Sequence, residues 1–365
     1  MDLLLFQRDK YDLLYNCTNF DANLVPIGQR IHTVHGIILI IMFFLFELLY
    51  IPCMLSMYNK LSNACYKLLF YIGITDMLVM LMNGFETGLL SINGAVFCTY
   101  PDLIYTSGSV GLSLWYAAEL LLAINRCLEL VAPKLAHQIY HGNRTWWLCI
   151  VPTVYAIILS LYTPPILFSG QYMSWFFNPY VGYVDDFGRN YHSPMHTIHD
   201  MFVIFGLSAI YITFSVILII QTQSYNAHHQ ATLSQKLTFL QVVLISFFNG
   251  MAAGIYIYMQ SVRISDALII AGTYAWLLAH GIPPLIYLAL NKTIRTDFVR
   301  YAKIIVYKCT HRSHQQQAQT LTILPMTSLR GVQLRGRNNA NFVGTNANFH
   351  TRGNRNTIRP VSHAF

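Results

Sequence analysis

Six ionisable side chains interrupt runs that are otherwise apolar: Glu47, Asp76, Glu86, Glu119, Arg126 and His280. A charge deep in a bilayer costs several kcal/mol, so each is a functional candidate by default. Glu47 lies ten residues from Met57, Asp76 ten from Tyr66 and His280 ten from Leu290, the inner ends of their runs. At ~1.5 Å of rise per residue all three sit about 15 Å from one surface. With Glu119 they make a buried polar layer. It acts either as a switch that repacks between resting and active states, with a proton or cation bound, or as interhelical hydrogen bonding that fixes helix order. Glu119 and Arg126 are two turns apart on one face, and Glu129 is placed to pair with Arg126 along the helix. Arg126 at the inner mouth is the expected coupling residue, which a partner captures once the helices open; positive-inside anchoring is the alternative. Glu86, Tyr100, Tyr105 and the run Trp175-Phe176-Phe177-Asn178-Pro179-Tyr180 are expected to line an outward cavity. Small-molecule pockets are mostly apolar with a few directed polar groups, although such aromatics also serve as interfacial belts.

Composition says what must hold these residues. Of 365 residues, 55% are apolar and only 10% charged, against roughly 25% charged in soluble domains, and mean hydropathy is +0.43. That excludes a soluble enzyme, a disordered scaffold and a nucleic-acid-binding domain. Seven runs satisfy the ~20 apolar residues that a membrane helix needs: 31–57, 66–92, 103–130, 146–168, 199–222, 237–260 and 267–290. The expected fold is an all-α seven-helix membrane bundle preceded by an extracellular segment, 1–30. A short amphipathic inner-leaflet helix, 291–308, follows, with Ile294, Phe298, Tyr301, Ile304 and Ile305 at helical spacing. Beyond it lies a disordered basic tail, 309–365. Met1–Gln7 lacks the features of a signal peptide, so the first span is read as its own anchor, and no inverted repeat suggests a transporter. Pro52, Pro152, Pro164-Pro165 and Pro283-Pro284 are expected kinks, the last the one that moves.

Sidedness follows from the basic residues. With the N-terminus outside, five Lys and Arg lie on the outer side and 18 on the inner, as the positive-inside rule requires. The net charge of +8 then reads as anchoring to anionic lipid. Asn16-Cys17-Thr18 is a glycosylation sequon on the outer side. Cys17 and Cys98 are the two cysteines that face the oxidising compartment, and form a disulfide or remain free thiols. Cys309 is a candidate for palmitoylation or a plain thiol. The seven cysteines show no metal-ligand spacing, and no metal or other cofactor is expected.

Several motifs carry a resemblance: Tyr15-Asn16-Cys17, Gly94-Ala95-Val96-Phe97-Cys98-Thr99-Tyr100-Pro101, Trp115, Asn125-Arg126-Cys127, Trp175-Phe176-Phe177-Asn178-Pro179 and Pro283-Pro284-Leu285-Ile286-Tyr287. Together these resemble the nematode serpentine receptor class T chemoreceptors, which are G-protein-coupled receptors, over roughly Tyr15 to Tyr301. The resemblance implies signal coupling through Asn125, Arg126, Pro284 and Tyr287, and sets Asp76 where rhodopsin-like receptors bind sodium. This sequence departs from the rhodopsin-like pattern at Asn125, which replaces an acid, and at Gln235 and Lys236, which offer Arg126 no carboxylate. Ser169–Ile198 also lacks cysteine, so the usual loop disulfide cannot form, and the sixth span has no Trp-x-Pro.

The expected function is therefore that of a non-enzymatic chemosensory receptor in the plasma membrane, or in sensory cilia. Its partners would be a small-molecule ligand, a heterotrimeric G protein and the lipid bilayer, with no nucleic acid. Two rivals stand beside it. An intramembrane metal hydrolase would use His192, His196 and His199 beside Asp200, and metal content tests it. A ligand-gated channel keeps its N-terminus inside, so glycosylation of Asn16 would exclude it.

Overall fold

The computed structural model describes residues 1–18, 20–115, 124–125, 128, 131–184, 186, 190–223, 233–262 and 265–322. Glu119, Arg126, Glu129 and the Cys309 side chain lie outside them. Two compact units are present, Met1–Cys309 and Thr310–Phe365. The second is helical over 310–322.

The first unit opens with α1 (Asp2–Phe6) and α2 (Arg8–Leu14), followed by the long helices α3 (Thr33–Tyr58) and α4 (Ala64–Asn93). Next come α5 (Pro101–Trp115), α6 (Pro133–Tyr140) and α7 (Arg144–Tyr162). A hairpin, β1 (Leu167–Ser169) with β2 (Ser174–Phe176), leads to α8 (Pro194–Gln223) and α9 (Leu233–Ser261). The bundle closes with α10 (Asp266–Gly281) and α11 (Pro283–Leu290), and α12 (Lys292–Thr322) follows. α3, α4, α7 and α8 are each long and apolar enough to cross a membrane, and α10 with α11 makes a fifth crossing as a bent pair. α5 and α9 stand at the two remaining positions, so a helix occupies part of each of the seven apolar runs and the architecture is an all-α membrane bundle.

Local chemistry explains where the element ends differ from expectation. The fourth helix stops at Tyr162, short of the expected 168, because Pro164 and Pro165 cannot continue it. Pro164-Pro165 is thus a terminus and not a kink, and Leu167–Ser169 turns back as a strand. The fifth helix starts at Pro194, ahead of 199, with proline at its first position and Ser193 Oγ accepting the His196 N–H at 3.4 Å. The last helix continues to Thr322 instead of ending at 308, since no glycine or proline interrupts the sequence before Pro325. Residues 323–365, the rest of the expected disordered tail, are outside the described residues.

Two irregularities matter for function. Residues Leu81–Glu86 of α4 form a π-turn, a feature that concentrates at functional sites. α10 and α11 meet at a 44° bend. Pro284 has no N–H to return to the His280 carbonyl, and Tyr50 Oη donates to that oxygen at 3.2 Å instead.

At the opposite end, Lys60 Nζ pairs with Asp297 and Ser56 Oγ donates to the same carboxylate at 2.7 Å. Asn59 Nδ2 donates to Tyr301 Oη at 3.0 Å. These bonds fasten the start of α12 to the end of α3. The Lys60 bond is the main cause that holds Asp297 below the ordinary carboxylate range.

Candidate functional site

The hairpin sets the site. Leu167 pairs with Phe176, Phe168 with Trp175 and Ser169 with Ser174, and Phe168, Met173 and Trp175 are buried. Met173 adopts a positive φ of 53°, a strained backbone for a side-chain-bearing residue. Its carbonyl accepts Thr273 Oγ1 of α10 at 3.0 Å, and Trp175 Nε1 donates to Thr87 Oγ1 of α4 at 2.8 Å. Thr87 Oγ1 in turn donates to Met82 O at 2.8 Å within the π-turn. The hairpin therefore plugs the bundle and is bonded to both α4 and α10.

Beside the plug lies a cavity of about 360 Å³. Trp175, Phe176 and Phe177 line it, and α5 adds Leu112 and Trp115. Tyr256 and Met259 of α9 and Trp276 of α10 close the far side, and Asp186, Tyr191, His192 and His196 come from the segment that leads into α8. The aromatic floor is packed edge to face: Trp115 meets Trp276 at 5.4 Å and Tyr256 at 6.2 Å, and Tyr256 meets Trp276 at 5.8 Å. Such contacts add about 0.5–1.5 kcal/mol each beyond burial.

Directly below the floor the His280 ring lies 5.6 Å from Trp115. His280 Nδ1 is 2.7 Å from Asp76 Oδ1, and Tyr50 Oη donates to Asp76 Oδ2 at 2.6 Å. α3, α4 and α10 are thus tied by one buried Tyr50–Asp76–His280 cluster. His280 Nε2, Trp276 Nε1 and both amide atoms of Asn83 are buried without a hydrogen-bond partner among the described residues. Buried orphans cost free energy, so a rearrangement that satisfied them would be favoured.

Other expected residues fall elsewhere. Glu47 is half-buried and joins neither Asp76 nor His280, because the face of α3 that meets α4 carries Leu39, Phe43, Phe46, Tyr50 and Cys53. Glu86 accepts Ser107 Oγ at 2.7 Å and does not line the cavity. Tyr100 is 45% exposed, in the turn before α5. Tyr105 is buried, but against Tyr11 at 5.0 Å and Tyr15 at 5.1 Å. The N-terminal segment claims it: burial pushes the Tyr11 phenol up to about 12 and raises Tyr15 further. Glu86 and Tyr105 leave the cavity wall because sequence fixes depth along a helix but not its rotation, and Tyr100 because it stands in a turn outside the helix. Asn125, Pro284 and Tyr287 are buried, and the Cys53 thiol reaches Pro284 O at 3.9 Å.

Cys17 and Cys98 are joined by a disulfide with Cα atoms 5.5 Å apart. Asn16 beside it is exposed, its Oδ1 accepting the Thr18 N–H at 2.8 Å. Of the three histidines weighed for zinc, His196 Nε2 lies 3.2 Å from Asp200 Oδ2 and His199 Nδ1 lies 3.0 Å from Tyr155 Oη. No group of three metal-ligating side chains converges among the described residues. Tyr50, Tyr256 and Trp276 were not foreseen as site residues; Trp115 entered only as a motif residue and His192 only as a zinc ligand of the rival hydrolase. The one available signal was Trp276, four residues before His280 and so on the same face of α10.

The architecture is thus an all-α membrane bundle, plugged by a hairpin and holding an aromatic cavity above a buried polar cluster. The chain matches the family described as serpentine type 7TM GPCR chemoreceptor Srt over residues 2–314, and it belongs to that family. It is 22% identical over 252 residues to serpentine receptor class T-55 of Caenorhabditis elegans, with 68% of each chain covered.

Proposed function

We propose that this chain is a chemosensory receptor that binds a small environmental molecule in the hairpin-side cavity and signals through a heterotrimeric G protein. It would sit in the plasma membrane, in sensory cilia, with its N-terminus and glycosylated Asn16 outside and Cys309 palmitoylated inside. One observation carries the reading: Trp115 touches both the cavity floor and His280, so a ligand that moves the floor rings displaces the Tyr50–Asp76–His280 cluster. The 44° bend at Pro283-Pro284 begins three residues after His280, and it is the element that such a displacement would swing. Opening at the inner end then exposes Asn125, Arg126 and Tyr287 to the G protein. Population shift of this kind requires the ligand to fit one arrangement of the floor rings better than the other.

The test is odorant stimulation of cells that express the receptor with a calcium or cAMP readout, comparing wild type with Arg126→Ala. Loss of response with surface expression intact supports the reading. A normal response from Arg126→Ala would remove that residue from the mechanism.

A further inference from the structure

Among its described residues the segment from Asn178 to His196 puts five polar side chains on the cavity wall, and four of them have partners within the protein. Asn178 donates to Val184 O at 2.9 Å and accepts the Tyr180 N–H at 2.9 Å. Asp186 spends one oxygen on the Asn190 N–H at 2.8 Å and the other on the Tyr191 N–H at 3.0 Å. Tyr191 Oη donates to Leu14 O at 2.6 Å, and His196 faces Asp200 at 3.2 Å. His192 is the remaining one, a half-buried imidazole with no hydrogen bond among the described residues.

We infer that the ligand is an uncharged, predominantly apolar molecule with a single hydrogen-bonding group, and that His192 is the residue that recognises that group. The inference rests on the cavity being the ligand site. A neutral imidazole both donates and accepts, so a ketone, ester or alcohol suits it equally. A formal charge does not suit the remainder of the wall, which is built from indole and phenyl rings with Leu112, Ile166, Val181 and Met259. Desolvating a charge there costs far more than desolvating a neutral oxygen unless a counter-charge meets it, and the one carboxylate among the described lining residues, Asp186, already has its charge dispersed by two backbone N–H groups. At about 360 Å³ the space lies near the small end of the ~300–1,000 Å³ range for ligand pockets.

The experiment uses the full chain in lipid nanodiscs. Three of its five tryptophans line the cavity, so quenching of their emission reports binding, with empty nanodiscs as the partition control. The probes are matched sets on two skeletons: 4-phenylbutan-2-one, 4-phenylbutan-2-amine, 3-phenylpropanoate and butylbenzene, and octan-2-one, octan-2-amine, octanoate and octane. On at least one skeleton the ketone should bind tightest, the hydrocarbon next, and the ammonium and carboxylate weakest. His192→Ala should weaken the ketone by roughly three- to tenfold, the value of one hydrogen bond, and leave the hydrocarbon unchanged. His192→Asn, which keeps a donor and an acceptor, should restore part of the loss. Tighter binding of either charged probe, or an equal loss for ketone and hydrocarbon in His192→Ala, overturns the inference while the cavity stands as the ligand site. If no probe of either set binds, the cavity reading fails and the inference goes with it.

Discussion

Removing one oxygen atom, in Tyr50→Phe, tests the buried cluster most directly. That hydroxyl donates to Asp76 Oδ2 at 2.6 Å and also serves the His280 carbonyl at 3.2 Å. The second acceptor is a consequence of Pro284, which has no N–H to offer it. Tyr50 is fully buried, so water cannot replace the lost donor, and a buried acceptor left unsatisfied costs about 1–3 kcal/mol. Hydrogen bonds between membrane helices average only about 0.6 kcal/mol, because the unfolded chain in lipid finds other partners. A proline-freed carbonyl and a buried carboxyl served by one hydroxyl should exceed that average, at about 2 kcal/mol or roughly 30-fold in the unfolding equilibrium. Tyr71→Phe is the internal control: its hydroxyl meets Thr153 Oγ1 at 2.6 Å in a half-buried neutral pair, and about 0.6 kcal/mol is expected. Equilibrium unfolding in mixed micelles of rising SDS fraction, followed by tryptophan emission, measures both. Repeating Tyr50→Phe in an Asp76→Val background should at least halve its effect, since one of the two acceptors is gone. Equal losses for the Tyr50 and Tyr71 variants, or an undiminished loss in the Asp76→Val background, would refute the cluster as a load shared by three helices.

Other outcomes follow from the same structure. Cys17→Ser and Cys98→Ser should lower thermal stability by the same amount as the double variant, because each removes one shared bond; unequal melting shifts would count against it. The separation of 81 residues corresponds to roughly 4 kcal/mol of loop entropy for a free chain, an upper bound here, since inserted helices already restrict the unfolded state. Asp297→Asn should lower the melting temperature at neutral pH. Asp297 is depressed in the folded state, so its contribution is complete above the ordinary carboxylate value near 3.9 and is lost as pH falls through the lower folded value. The gap between variant and wild type should therefore start to narrow below about pH 4 and close once pH lies under that lower folded value, and a gap that persists there would contradict the pairing. Gly108→Ala should abolish surface expression, because the added Cβ would lie 1.7 Å from the Ile166 carbonyl. Gly250→Ala, with nothing within 4 Å, should express normally, and flow cytometry of tagged receptor distinguishes the pair.

Much of the bundle was legible because crossing lipid is a local requirement: about 20 apolar residues suffice to declare a helix, wherever its neighbours stand. Depth was legible as well: Asp76 and His280, equally spaced from their inner ends, meet at 2.7 Å. Rotation was not. Glu47 shares that depth but sits off the buried face of α3, and Tyr50, one turn further on, holds the place it was expected to fill. Polar character misled in the same way at Glu86, which found Ser107 on the neighbouring helix and left the cavity to rings from five separate segments.

The residues between Pro164 and Pro194 show the same division. Two prolines guarantee that the fourth helix ends, and nothing in the apolar pattern says that the chain then folds back into the bundle as a hairpin.

Sequence by itself therefore determined that this chain is a membrane bundle of serpentine receptor type, where its apolar runs lie, and that Asp76 and His280 share one depth, because hydrophobicity and helical rise act residue by residue. Only the tertiary structure decided that Tyr50, Asp76 and His280 form one cluster, that Trp115 connects it to the cavity, and that His192 has no hydrogen bond among the described residues. Those facts depend on how helices rotate against one another and on which donors their neighbours have already taken.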